Sequence, residues 1–111
     1  MTKPDDILVV LVTVASDDEG AAIARALVDE RLAACGNTGL PVRSVFRWEG
    51  TICDEPEYLL ILKTTGARLE RLTARIQELH SYDVPEIIAL PVVGGSPEYA
   101  AWVRRETAVS H

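Results

Sequence analysis

Residues 7–14 read Ile-Leu-Val-Val-Leu-Val-Thr-Val, a β-branched apolar run with no polar residue in alternation. A strand with one wet side alternates; a run like this predicts a central strand buried on both faces. Its longest purely apolar part, Ile7 to Val12, is far short of the ~20 residues that cross a bilayer as a helix. Immediately downstream, Ser16-Asp-Asp-Glu19 has capping-box spacing, in which a serine oxygen and a glutamate satisfy the amide donors that a helix start leaves free. Ile23, Ala26, Leu27 and then Ala33 or Ala34 recur at helical spacing, which predicts a helix from about Asp17 to Leu32. Acidic residues at its start and Arg31 near its end suit the helix dipole.

Beyond this strand–helix unit the pattern fades. Gly36, Asn37, Gly39 and Pro41 predict a poorly regular strand or loop. Val42, Ser44, Phe46 and Trp48 then alternate with Arg43, Val45 and Arg47, a two-residue period. Glu49-Gly50 fits a hairpin turn, because glycine takes positive φ without strain. The return strand carries Ile52 and the apolar run Tyr58–Leu62, with Pro56 tolerable only at an edge or bulge. Thr64-Thr-Gly66 opens a second helix, whose buried stripe is Leu69, Leu72, Ile76 and Leu79. Glu86–Val93 reads as a fourth strand, broken by Gly94-Gly95. Ser96 as N-cap and Pro97 as first helical residue begin a short terminal helix through Tyr99, Trp102 and Val103.

The predicted order is β-α-β-β-α-β followed by a helix. Right-handed crossovers place both main helices on one face of a four-stranded antiparallel sheet: an α+β, ferredoxin-like sandwich. One domain spans residues 1–111, with its ordered core at about 7–107. Strands one and three are apolar on both sides, and the terminal helix is too small to hide the second face. Burying that face against other copies of the same sheet is the economical solution.

Composition narrows the function classes. With 48% hydrophobic and 25% charged residues in 111, the chain is an ordinary globular sequence rather than a disordered one. Eleven Lys and Arg against 17 Asp and Glu give a net charge of −6, which argues against nucleic acid and against an anionic membrane surface. Asp5 and Asp6 have the wrong sign for a signal-peptide start, and Cys35 and Cys53 read as two buried thiols; the expected location is cytoplasmic. The sequence holds no G-x-S-x-G, H-E-x-x-H or G-x-x-x-x-G-K-[ST], so no enzymatic activity is expected.

Five segments together resemble the CutA family of divalent-cation tolerance proteins: Arg31-Leu-Ala-Ala-Cys-Gly-Asn37, Ser44-Val-Phe-Arg-Trp-Glu-Gly50, Leu62-Lys-Thr-Thr65, His80-Ser-Tyr-Asp-Val-Pro-Glu86 and Leu90-Pro91. The resemblance is collinear from about Leu8 to Trp102. It implies a ferredoxin-like subunit in a tight homotrimer joined through its sheets, kinship in fold with PII signalling proteins, and a role in divalent metal ion, chiefly copper, tolerance. It also implies that no cofactor is required, with copper(II) or another divalent cation as the ligand. The alternative implied is a PII-like trimer that binds a small ligand in its inter-subunit clefts.

Copper-binding members carry a first-strand cysteine and two adjacent histidines; here Val12 and Leu79 stand at two of those positions, and His80 alone carries over. Losing two of three soft or imidazole donors weakens such a site. His80 is thus the candidate metal ligand, with Glu57 and Cys35 as weaker ones. The bland readings are a histidine at a helix end packed beside Tyr82, and a cysteine buried as a small apolar group. Cys53 offers a soft donor off the family pattern. Trp48, Glu86 and Trp102 are candidates for the interface between copies, and Lys63 is expected to pair with a carboxylate across it.

Overall fold

The computed structural model describes residues 2–109. The chain runs β1 (Ile7–Val14), α1 (Asp17–Asp29), β2 (Cys35–Trp48), β3 (Thr51–Thr65), a 3₁₀ turn (Gly66–Arg68), α2 (Leu69–Leu79), β4 (Ile87–Pro91) and α3 (Pro97–Glu106). The four strands form one sheet in the order β2-β3-β1-β4, antiparallel throughout. This is the ferredoxin-like α+β arrangement, with the apolar run 7–14 in an interior position. Among the described residues no helix is long and apolar enough to cross a membrane.

Helix starts follow the local chemistry. Ser16 Oγ accepts from the Glu19 amide at 3.1 Å, and Glu19 Oε1 accepts from the Ala15 amide at 3.1 Å, closing the capping box one residue upstream of the cap. Ser96 Oγ likewise accepts from the Tyr99 amide at 3.2 Å, with Pro97 the first residue of α3. α1 stops at Asp29, earlier than the spacing predicted, because Arg31 turns left-handed at φ 59°. Arg31 therefore does not serve the α1 dipole; its guanidinium donates to the Glu106 carbonyl of α3 at 3.2 Å.

The hairpin is longer and more regular than its sequence suggests. Glu49 and Gly50 both take positive φ, 50° and 79°, which matches the twist of the flanking strands. β3 runs unbroken through Pro56, since β1 begins to pair only at Tyr58 and the proline sits where β3 has a free edge. β2 starts at once at Cys35, and a register shift between Asn37 and Leu40 absorbs the irregular Thr38-Gly39 step. Gly36 is a close-approach position: a Cβ there would lie 2.9 Å from the Ala24 methyl of α1 and 3.1 Å from Leu62.

The core lies between the sheet and the two main helices. Val10, Val12 and Val14 of β1 and Leu60 and Leu62 of β3 pack against Ile23, Leu27, Leu72 and Ile76, all buried. The alternate residues, Val9, Leu11, Leu59 and Ile61, are only half-buried, and Ile88 and Leu90 of β4 are 49% and 44% exposed. Near the start of β1, α3 covers the end of this second face, where Ile7, Ala34 and Val103 cluster with Ala100 and Trp102. Among the described residues no helix lies over the rest of the face. The β2–β3 arm extends the molecule to 45 Å along one axis, with Val45, Trp48 and Ile52 all more than half exposed.

Candidate functional site

His80 ends α2. Its backbone is extended, at φ −78° and ψ 143°, and its amide closes the helix on the Ile76 carbonyl at 2.8 Å. That turn drives the imidazole inward, where the side chain is wholly buried. Nε2 lies 2.8 Å from the Thr13 carbonyl of β1, and Nδ1 accepts from the Tyr82 amide at 3.0 Å. A carbonyl can only accept and an amide N–H can only donate, so the proton sits on Nε2 and the Nδ1 lone pair is already used.

Around the ring lies a polar network. Tyr82 packs on His80 with ring centroids 4.6 Å apart, and its hydroxyl donates to Glu57 Oε2 at 2.7 Å. Burial first, then the Glu57 carboxylate, push the Tyr82 hydroxyl well above its ordinary range. Glu19 reaches in from α1: its Oε2 accepts from the Ser81 amide at 2.8 Å and stands 3.8 Å from His80 Nδ1. Burial alone would raise the Glu19 carboxyl, but the amides of Ser81 and Ala15 outweigh it and hold the group below its usual value. The arrangement joins β1, α1, α2 and the arm base by hydrogen bonds.

This geometry bears on His80 as a metal ligand. A ligating imidazole needs a free ring nitrogen; both nitrogens of His80 are engaged with backbone. Glu57 lies near His80 through Tyr82 but spends one oxygen on the tyrosine. Cys35 is elsewhere: it pairs with Lys63 on β3, six residues from Glu57, on the order of 20 Å along the strand. Among the described residues no three His, Cys, Asp or Glu groups converge on a point that could hold a cation. Cys35 and Cys53 are both free thiols, and ten residues of β3 separate Cys53 from Lys63, the partner of Cys35, which keeps the two on the order of 30 Å apart.

The three interface candidates occupy separate places. Trp48 is at the tip of the arm, 53% exposed. Glu86 is exposed just before β4, and Trp102 is half-buried on α3 with its ring 5.5 Å from Tyr99. Sequence reading missed Tyr82 as the partner of Glu57 and Glu19 as a second contact of the His80 loop. The capping-box spacing marked Glu19, but only for its own helix.

A groove of about 530 Å³ opens where the second sheet face meets α3, between Val9 and Lys63 on one side and the Val92–Tyr99 segment on the other. The Tyr99 hydroxyl is held above its ordinary range by burial and by the adjoining Cys35 thiol.

Comparison with known proteins agrees with this architecture. The family model described as CutA1 divalent ion tolerance protein matches residues 8–106. The divalent-cation tolerance protein CutA of Thermus thermophilus is 46% identical over 99 residues, covering 89% of this chain and 96% of that protein. A solved structure of the Thermus thermophilus protein superimposes with a TM-score of 0.89 at 45% identity, over 92% of this chain and 99% of the other. The chloroplastic CutA of Arabidopsis thaliana is 45% identical over 100 residues, covering 90% of this chain; the chain spans 55% of that protein's length. The expected cytoplasmic location does not survive these relatives. One is named chloroplastic, and a structure from Archaeoglobus fulgidus with a TM-score of 0.88 and 32% identity, covering 91% of this chain and 98% of its own, is described as periplasmic. Two thiols too far apart to bridge within the chain do not require a reducing compartment, so they never carried that inference.

Proposed function

The chain belongs to the CutA1 divalent ion tolerance family, and from that membership we propose that it acts in the response to divalent cations as a homotrimer that catalyses no reaction. The observation that carries the assembly is the second sheet face: Leu11, Leu59, Ile61, Ile88 and Leu90 lie on strands of a single sheet, and among the described residues no helix lies over them. A contiguous apolar surface of this kind favours burial against an identical surface. The cation role is supported by the name of the Thermus thermophilus relative. Copper(II) or another divalent cation then meets exposed carboxylates and half-buried thiols rather than a preformed centre at His80, so its binding is weak.

Sedimentation equilibrium is expected to give a mass near three chains, and calorimetric titration with Cu(II) and Zn(II) a weak isotherm that His80→Gln leaves in place. A single-chain mass overturns the assembly; a tight Cu(II) site abolished by His80→Gln overturns the metal reading. A small-ligand-binding trimer is the second reading, favoured by the groove beside α3.

A further inference from the structure

Lys63 is out of character with its surroundings. It stands on the second sheet face opposite Val9 of β1 and Cys35 of β2, two residues from Ile61 on its own strand. Its Nζ donates to the Asn37 side-chain oxygen, a neutral acceptor that occupies one of three ammonium donors. The chain carries 17 Asp and Glu, yet among the described residues none has a carboxylate within 4.0 Å of this ammonium. A cation on an apolar face costs free energy unless an anion answers it.

Lys63 also lines the groove of about 530 Å³, a size suited to small ligands. Arg104 lines the same groove; its Nε donates to the Asp5 carbonyl at 2.9 Å, leaving the terminal guanidinium nitrogens uncommitted among the described residues. Among the described residues the lining has one carboxylate, Asp6, whose Oδ2 accepts from the Lys3 amide at 2.8 Å. Ile7, Val9 and Val92 supply apolar wall. Among the described residues two cations and one acid thus face the space, and the acid has one oxygen held by backbone.

We propose that this groove receives a small organic anion, with a carboxylate or phosphate end held by Lys63 and Arg104 and an apolar body against Ile7, Val9 and Val92. The proposal deepens the small-ligand reading above by naming the ligand's charge and chemistry, and it rests on that reading.

The test titrates the full chain with inorganic phosphate and with citrate at constant ionic strength, by calorimetry and by amide chemical shifts, with sedimentation on the same samples. Saturable binding is expected, with shifts at Lys63, Tyr99 and Arg104. Lys63→Met weakens it roughly tenfold or more, Lys63→Arg retains most of it, and Arg43→Gln, on the arm, leaves it unchanged. Should Lys63→Met fail to fold, Arg104→Gln is expected to give a smaller loss, and the wild-type titration decides by itself. Neither anion binding the wild type overturns the proposal, as does an equal loss in Arg43→Gln, which marks diffuse charge. If neither anion binds while Lys63→Met alters the mass, the answering charge is a carboxylate of another copy; the groove proposal then fails and the trimer stands. Saturable binding to a single-chain species keeps the groove and removes the trimer.

Discussion

The two faces of one sheet have nearly the same chemistry and opposite environments. On the helix side, Val10, Val12, Leu60 and Leu62 are fully excluded from solvent. One residue along in each strand, Val9, Leu11, Leu59 and Ile61 are half-covered, flanked by Ile88 and Leu90 in the open. Side-chain alternation makes neighbours in sequence strangers in space. The lesson is that apolar content does not distinguish a finished core from an unfinished one; only the element lying over it does.

Substitutions that act on one face and spare the other test this contrast. The largest loss of stability is expected from Leu62→Ala on the closed face, about 2–5 kcal/mol through the cavity left among α1 and α2, with the association mass unchanged. Chemical denaturation measures it, and a loss below 1 kcal/mol, by the same scale, would mean that the closed face is not the tighter one. Leu11→Asp, by contrast, places a charge on the open face and is expected to cut the sedimented mass about threefold while the single chain keeps its far-ultraviolet dichroism. An unchanged mass would show that association does not use this face.

Smaller effects are expected at the seam between the faces. Tyr82→Phe removes the donor from Glu57, a carboxylate only 7% exposed, and should cost about 1–3 kcal/mol in urea unfolding. Glu19 concerns pH. Its folded carboxyl sits below the ordinary 4.5, so it adds stability that is present above that value and drains away as pH falls through the folded one. Glu19→Gln should flatten this acid limb in a series of urea midpoints, and a limb of unchanged slope would assign the effect to other groups. Least of all is expected from Arg43→Ala on the arm. The Arg43–Asp54 pair is bidentate at 2.7 Å, but its guanidinium is 80% exposed, so no shift in thermal midpoint should be detectable.

Much of the fold was legible in local chemistry. Ser16 and Ser96 announce two helix starts, Glu49-Gly50 announces the hairpin, and the unalternating run 7–14 announces an interior strand, though its second side is only half-buried in the single chain. Boundaries slipped where distant contacts intervene. α1 ends early because Arg31 turns away to α3, and β3 continues through Pro56 because no neighbouring strand needs the missing amide there. The site was less legible. His80, Glu57 and Cys35 carry the right donor atoms for a metal, yet donor type says nothing of whether a lone pair is already spoken for.

The amino-acid sequence alone determined the element order, the capped helix starts, the family and the surplus of apolar surface over available helices, since each follows from residue type and spacing along the chain. Only the tertiary structure decided that both nitrogens of His80 serve the backbone, that the two cysteines stand apart, and that Lys63 lines a groove with no carboxylate within 4.0 Å of its ammonium among the described residues. Those facts depend on which residues far apart in sequence are brought within hydrogen-bonding distance, a range of about 3 Å that spacing along the chain does not encode.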